Sequence, residues 1–218
     1  MVTVKICGIT DIEDARVAWE AGADALGLVL YRASQRYVSP ETARGIVSSL
    51  PPFVTVVGLF VDEPLEAVKN ITGFVGFDVI QLHGNEPPEY CLSLGRRVIK
   101  AFRVKETDEN SAEGPETVLN RLPDYSVSAY LLDTYHPGLP GGTGTTFNWD
   151  LAIKAGLAGE NRRIILAGGL TPDNVAAAVK TVRPYGVDVS SGVEEQPGKK
   201  DRFKVREFIR QAKGFERT

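Results

Sequence analysis

The feature that most constrains this chain is an alternation, repeated eight times, between short apolar runs and longer amphipathic stretches. Runs such as Val56-Val57-Gly58-Leu59-Phe60-Val61 and Val79-Ile80-Gln81-Leu82 are apolar almost throughout, as expected for parallel strands buried on both faces. The expected strands are Thr3–Cys7, Ala25–Leu30, Thr55–Val61, Val79–His83, Val98–Arg103, Ala129–Asp133, Arg163–Ala167 and Val187–Ser190. The expected helices are Ile12–Ala21, Pro40–Leu50, Pro64–Ile71, Pro87–Leu94, Pro115–Leu122, Trp149–Ala155, Pro172–Val182 and Arg202–Ala212. Such an alternation folds either as a closed barrel or as an open, doubly wound sheet. The open sheet usually carries its phosphate fingerprint in the first βα turn, but that turn here reads Cys7-Gly8-Ile9-Thr10. The glycine-rich turns come after the seventh and eighth strands, the habit of the closed barrel. The expectation is a single-domain (β/α)8 TIM barrel over residues 1–218, with no linker.

Several helix starts are marked. Thr10-Asp11-Ile12-Glu13 reads as a capping box, and Ser39-Pro40 and Thr171-Pro172 place a capping hydroxyl before a proline at the first helical position. Gly22 and Gly95 stand just past helix ends. Lys105–Pro115 reads as a surface loop.

Composition narrows the class of partner. A net charge of −3 argues against nucleic acid or an anionic membrane, and the basic clusters Arg96-Arg97, Arg162-Arg163 and Lys199-Lys200 read as solvated faces. Two cysteines without CxxC spacing suggest neither a disulfide framework nor a zinc site. No segment reads as a signal peptide or a membrane span, so a cytoplasmic protein is expected.

In a barrel of this type the site is built at the C-terminal strand ends. Those ends supply Cys7, Tyr31–Arg36, Asp62, His83, Arg103, Asp133, Gly168-Gly169 and Ser190-Ser191-Gly192, a set without metal-ligand spacing. The two late glycine turns, taken together, point to a phosphate cradle, because glycine lets backbone N–H groups approach an anion. Pro137–Gly144 after Asp133 is either a flap over the site or a plain surface loop. Cys7 alone fits a buried, inert cysteine more readily than a reactive one. Lys5, two residues earlier on the same strand face, would lower the thiol pKa. An aspartate placed like Asp133 is more often a helix cap or loop-anchoring acceptor than an acid, and Arg36 is either a surface residue or a bidentate carboxylate binder. His83 is read as a core-edge histidine partnered by Gln81.

At these residues the chain resembles the phosphoribosylanthranilate isomerases, barrel enzymes of tryptophan biosynthesis. The matching pieces are Lys5–Thr10, Ser34–Pro40, Val57–Val61, Val79–Gly84, Leu131–Thr134, Gly141–Gly144, Ala167–Pro172 and Val187–Glu194, in order across nearly the whole chain. The resemblance implies an Amadori rearrangement of N-(5′-phosphoribosyl)anthranilate to 1-(2-carboxyphenylamino)-1-deoxyribulose 5-phosphate. It implies Cys7 as general base, Asp133 as general acid and Arg36 as binder of the anthranilate carboxylate. Gly142, Gly144, Gly168, Gly169, Ser190, Ser191 and Gly192 would hold the phosphate, with Lys5, His83 and Asp188 in support. Gln35, Thr145 and Asn148 depart from the family's usual residues, which bears on the flap and leaves Arg36 in place.

The implied chemistry needs an acid to open the furanose ring and a base to remove the C2′ proton. The substrate nitrogen is its own electron sink, so neither cofactor nor metal is expected. Asp133 is expected to be partly protonated through desolvation, and Cys7 to gain thiolate character from positive neighbours. The only partner expected is the small-molecule substrate, bound by a monomer or homodimer. The alternatives are the histidine-pathway phosphoribosyl-amine isomerase, which would place aspartate where Cys7 stands, and a non-catalytic phosphate-binding barrel. Indole-glycerol-phosphate synthase would need a lysine and glutamates that the chain does not supply at matching places.

Overall fold

The computed structural model describes residues 2–104, 114–134, 149–157 and 162–214. Eight parallel strands close into a barrel in chain order, with helices between them. The first half runs β1 (Thr3–Cys7), α1 (Ile12–Glu20), β2 (Ala25–Val29), α2 (Pro40–Ser48), β3 (Thr55–Phe60), α3 (Leu65–Val75), β4 (Val79–Leu82) and α4 (Pro88–Ser93). The second half runs β5 (Val98–Val104), α5 (Pro115–Arg121), β6 (Ala129–Thr134), α6 (Trp149–Leu157), β7 (Ile164–Ala167), α7 (Val175–Val182) and β8 (Gly186–Val189). A short antiparallel hairpin, β9 (Glu194–Gln196) and β10 (Lys199–Lys200), precedes α8 (Arg202–Lys213). The barrel closes where β1 pairs with β8, Lys5 in register with Asp188 and Ile6 with Val189. The closed barrel expected from the alternation is the one observed. Among the described residues, no helix is long and apolar enough to cross a membrane.

The continuous apolar runs arise because each strand buries two faces. Ala25, Val57, Val79, Ile99, Ala101, Ala129, Leu131, Ile165 and Ala167 cluster together, and Cys7, Val29 and Leu59 form a further small cluster. The alternate residues, including Ile6, Leu28, Ile80, Phe102, Leu132 and Leu166, belong to the larger cluster packed with the helices. Each such side chain contributes about 1.5–3 kcal/mol on leaving water. Lys5, Gln81 and Asp188 are also buried, and the two-residue period places them on the inner face of their strands. Polar groups so enclosed must be paired, which is where the functional geometry begins.

Helix ends follow the sequence in part. Ser39 caps α2, its Oγ accepting from the Thr42 N–H at 3.1 Å, with Pro40 at the first position. The capping box expected at Thr10 is not formed. Asp11 caps α1 instead, accepting from the Asp14 N–H at 2.8 Å, while the Thr10 hydroxyl donates to the Gly198 carbonyl at 2.6 Å. The reason is the β9–β10 hairpin, unforeseen in the sequence, which folds back onto this turn. Helix α7 begins at Val175, not Pro172. Asn174 Oδ1 accepts from the Thr171 N–H and its Nδ2 donates to the Gly169 carbonyl, which closes a separate turn before the helix. Helix α3 continues four residues beyond the expected Ile71 and stops at Gly76, whose φ of 87° lies in the left-handed region.

Candidate active site

Lys5 and Cys7 lie on the inner face of β1, and Cys7 is in register with Gly27 of β2. A Cβ at Gly27 would stand 2.8 Å from Cys7 Sγ and 2.9 Å from Lys5 Nζ, so glycine there leaves the space that both groups occupy. Lys5 Nζ donates to Asp188 Oδ1 at 2.9 Å in a pair almost closed to solvent. Burial pushes the Lys5 pKa down, but Asp188 and then Cys7 hold it above the ordinary lysine value. For Cys7 burial is the largest influence and raises the thiol pKa; Lys5 lowers it and Asp188 raises it. The net direction is upward, which corrects the expectation of enhanced thiolate character in the resting site. Lys5 cannot offset the desolvation because its charge is shared with Asp188.

On the opposite side of the barrel mouth, Asp133 lies at the end of β6 and His83 immediately follows β4. His83 Nε2 is 3.1 Å from Asp133 Oδ2, and its Nδ1 is 3.2 Å from Gln81 Nε2. An amide nitrogen can only donate, so Nδ1 accepts, Nε2 carries the proton and His83 donates to the Asp133 carboxylate. The Gln81 partnership read from sequence is present, and Asp133 is the second partner that sequence reasoning did not assign to His83. The Asp133 side chain is 30% exposed, so its desolvation is partial.

Arg36 sits in the turn after β2, where its N–H donates to Ser34 Oγ at 3.1 Å. Its Nε and Nη2 donate to the two oxygens of Glu194 at 2.8 and 2.6 Å. Glu194 Oε1 also accepts from Lys200 Nζ at 2.8 Å, and Lys200 Nζ donates to the Ser190 carbonyl at 3.2 Å. Burial pushes the Glu194 carboxyl up, but hydrogen bonds from Arg36 and Lys200 bring it below the ordinary glutamate range. Burial lowers Lys200 despite the attraction of Glu194. Lys200 therefore does not lie on the solvated face expected of it. The hairpin packs against α1, with the Lys200 N–H donating to Asp14 Oδ2 and Lys199 Nζ reaching Asp14 Oδ1 at 2.7 Å. Glu194 was not singled out from sequence, although it closes the block Val187–Glu194 that carries the family resemblance, and Lys200 stood out only as half of a basic cluster.

The two late glycine turns are neighbours. Gly168 and Gly169 adopt φ values of 84° and 64°. Gly192 lies so close under the Leu170 carbonyl that a Cβ would overlap it. The hydroxyls of Ser190 and Thr171 are buried, without a hydrogen-bond partner among the described residues. A Cβ at Gly8 would stand 2.6 Å from Arg36 Cδ and 2.9 Å from Ser190 Oγ, so Gly8 brings Arg36 beside the second turn. Gly142 and Gly144, with Thr145, Asn148 and the rest of Pro137–Gly144, lie outside the described residues. Most of the loop expected at Lys105–Pro115 does too. Among the described residues, no group of three or more His, Cys, Asp or Glu side chains is placed to hold a metal ion.

A family model described as N-(5′-phosphoribosyl)anthranilate (PRA) isomerase matches residues 4–211. The chain is 57% identical over 213 residues to the N-(5′-phosphoribosyl)anthranilate isomerase of Pelobacter propionicus, covering 98% of this chain and 96% of that one. It is 46% identical to the crystal structure of phosphoribosyl anthranilate isomerase from Thermotoga maritima, with a TM-score of 0.86 over 99% of this chain and 100% of that one. A further crystal structure, of phosphoribosyl anthranilate isomerase in complex with reduced 1-(o-carboxyphenylamino)-1-deoxyribulose 5-phosphate, is 43% identical with a TM-score of 0.82, covering 99% of this chain and 100% of that one.

Proposed function

Because the chain belongs to the N-(5′-phosphoribosyl)anthranilate isomerase family, and so catalyses the Amadori rearrangement of that substrate in tryptophan biosynthesis, we propose that Cys7 is the base and Asp133 the acid of the reaction. The observation that carries the assignment is the placing of the two groups. Both stand at the C-terminal ends of their strands in one barrel, and each has its own partners: the buried pair Lys5 and Asp188 beside the thiol, and the half-buried His83, backed by buried Gln81, beside the carboxyl.

Asp133 gives a proton to the furanose oxygen as the C1′–O bond breaks, and the anilino nitrogen lone pair forms the iminium. His83 holds one carboxyl oxygen by its Nε2–H, leaving the other to face the substrate. It also stabilises the carboxylate that remains after the transfer. The Cys7 thiolate then takes the C2′ proton, and the electron pair of that C–H bond becomes the C1′–C2′ double bond while the iminium is neutralised. The enolamine tautomerises to the ketone, and exchange with solvent returns Cys7 and Asp133 to their starting states. Burial raises the pKa of the resting thiol, so the thiolate forms by losing its proton to solvent before it takes the one from C2′. The iminium places a second positive charge beside Lys5 and favours the thiolate at the step that uses it. General acid and base groups of this kind typically contribute ~10²–10⁴-fold each.

Arg36 receives the anthranilate carboxylate, and Gly168, Gly169 and Ser190–Gly192 receive the phosphate. The buried, unpartnered hydroxyls of Ser190 and Thr171 support that cradle, since a buried donor without a partner is costly unless a ligand completes it. Gly142 and Gly144 join the phosphate set on the family resemblance alone. The thiol at position 7 weighs against the histidine-pathway reaction, for which an aspartate is expected there. The test is turnover of both phosphoribosyl-amine substrates, side by side, by wild type and Asp133→Asn. The anthranilate substrate alone should turn over, with kcat lower by about 10²-fold or more in the variant. Comparable turnover of both substrates, or a fully active variant, would overturn the reading.

A further inference from the structure

Arg36 is gripped along one edge of its guanidinium. Nε and Nη2 are both committed to Glu194, whose side chain is 4% exposed, while that of Arg36 is 24% exposed. A side-on fork of this kind leaves the end of the group, Nη1 with the second N–H of Nη2, as another pair of parallel donors. Among the described residues, Nη1 has no hydrogen-bond partner. Glu194 is itself fixed from the other side by Lys200 Nζ, in a pair with side-chain exposures of 0% and 4%, and by the Gly198 N–H at 3.4 Å. The cluster of Arg36, Lys200 and Glu194 thus carries one net positive charge, matched to one carboxylate. Its backbone supports are the hairpin and, through Gly8 and Ser190, the turn read as a phosphate seat.

We propose that Glu194 is a specificity-determining positioning residue: it locks the Arg36 guanidinium so that its free edge presents two N–H donors to the carboxylate of the aromatic amine. This rests on the reading of Arg36 as the carboxylate binder. Glu194 does not touch the substrate. A freely rotating arginine would attract any anion, whereas a locked fork selects a planar carboxylate at one distance from the phosphate seat. Loss of the Glu194 charge has two opposed effects, and their sign separates positioning from simple electrostatics. If only charge mattered, removing an anion would tighten binding of an anionic ligand. If positioning matters, removing the lock weakens it.

The experiment measures dissociation constants for two probes on wild type, Glu194→Gln and Arg36→Met. One probe is the reduced 1-(o-carboxyphenylamino)-1-deoxyribulose 5-phosphate; the other is the same molecule without the ring carboxylate. Glu194→Gln should weaken the carboxylate-bearing probe roughly tenfold, the loss of about one charge-assisted hydrogen bond, and leave the other within about twofold. KM should rise by a similar factor with kcat within about threefold. Equal weakening of both probes would mean that the hairpin has collapsed, and tighter or unchanged binding of the first would mean that no lock exists; each overturns the proposal. Arg36→Met distinguishes the two layers. If it fails to discriminate between the probes, the reading of Arg36 itself is wrong, whereas discrimination by Arg36→Met without discrimination by Glu194→Gln removes the positioning role alone. Should Glu194→Gln fail to fold, Glu194→Asp keeps the charge but withdraws it by one methylene, and the same split between probes is expected.

Discussion

Lys5 and Asp188 face one another in register across the seam that closes the barrel, and their side chains meet at 2.9 Å with exposures of 4% and 9%. Their charges act on the Cys7 thiol in opposite senses, Lys5 favouring the thiolate and Asp188 opposing it, while burial outweighs both. The ion pair therefore works as a fixed bias on the thiol rather than as a lone cation beside it.

That bias predicts opposite effects from its two halves. Asp188→Asn removes the opposing charge and frees the ammonium to act on the thiol, so the midpoint of thiol alkylation by iodoacetamide should move to lower pH. Lys5→Met should move it to higher pH, at a stability cost of ~3–5 kcal/mol for the carboxylate left buried without a partner. Shifts in the same direction would contradict the arrangement.

Gly27→Ala tests the space that the pair and the thiol share. With the added Cβ under 3 Å from both Cys7 Sγ and Lys5 Nζ, one or both must move. A stability loss of ~1–3 kcal/mol is expected from overpacking. The larger effect should be on kcat, lower by about tenfold or more, because misplacing a reacting group by a fraction of an ångström removes alignment. Unchanged kcat would show that the position of the thiol is not critical.

Legibility from sequence differed by level. The barrel followed from the eightfold alternation because strands such as β4 and β7 bury both faces and so leave continuous apolar runs. Cys7, His83 and Asp133 were visible as polar residues at strand ends, and Lys5 through the two-residue period that sets it on the same strand face as Cys7. The net direction of the Cys7 pKa was not legible, since it depends on how much water the finished barrel excludes. Lys200 was read as solvated because its burial comes only with the folded hairpin, and Glu194 was missed because its partner Arg36 lies 158 positions away in the chain. No local pattern encodes such a contact. The start of α7 was misplaced because the Asn174 side chain competes with the helix for the Thr171 and Gly169 backbone.

A second buried pair, remote from Cys7, sets an expectation for stability. Lys100 and Glu86 meet at 2.8 Å with both side chains 2% exposed, and Glu86 Oε1 accepts from the Asp62 N–H at 2.9 Å. The pair thereby ties together the turns that leave β3 and β4. Lys100→Met should cost ~3–5 kcal/mol in urea unfolding by stranding the carboxylate, and Lys100→Met with Glu86→Gln should recover part of that loss. A single variant as stable as wild type would show the tie to be idle.

The raised thiol pKa fixes the sign of the pH dependence. The base must be deprotonated, so kcat/KM, which reports the free enzyme, should still be climbing from pH 7 towards the ordinary thiol range near 8.5. A plateau already complete at pH 6 would mean either a thiolate at rest or a different base.

The most direct test of the account is the kcat of Cys7→Ala, read beside its dissociation constant for the reduced product analogue. We expect kcat to fall by about 10²-fold or more while the dissociation constant stays within about threefold, as for loss of a base that contributes to the chemistry and little to binding. A Cys7→Ala enzyme that binds the analogue normally and turns over within about threefold of wild type would contradict it.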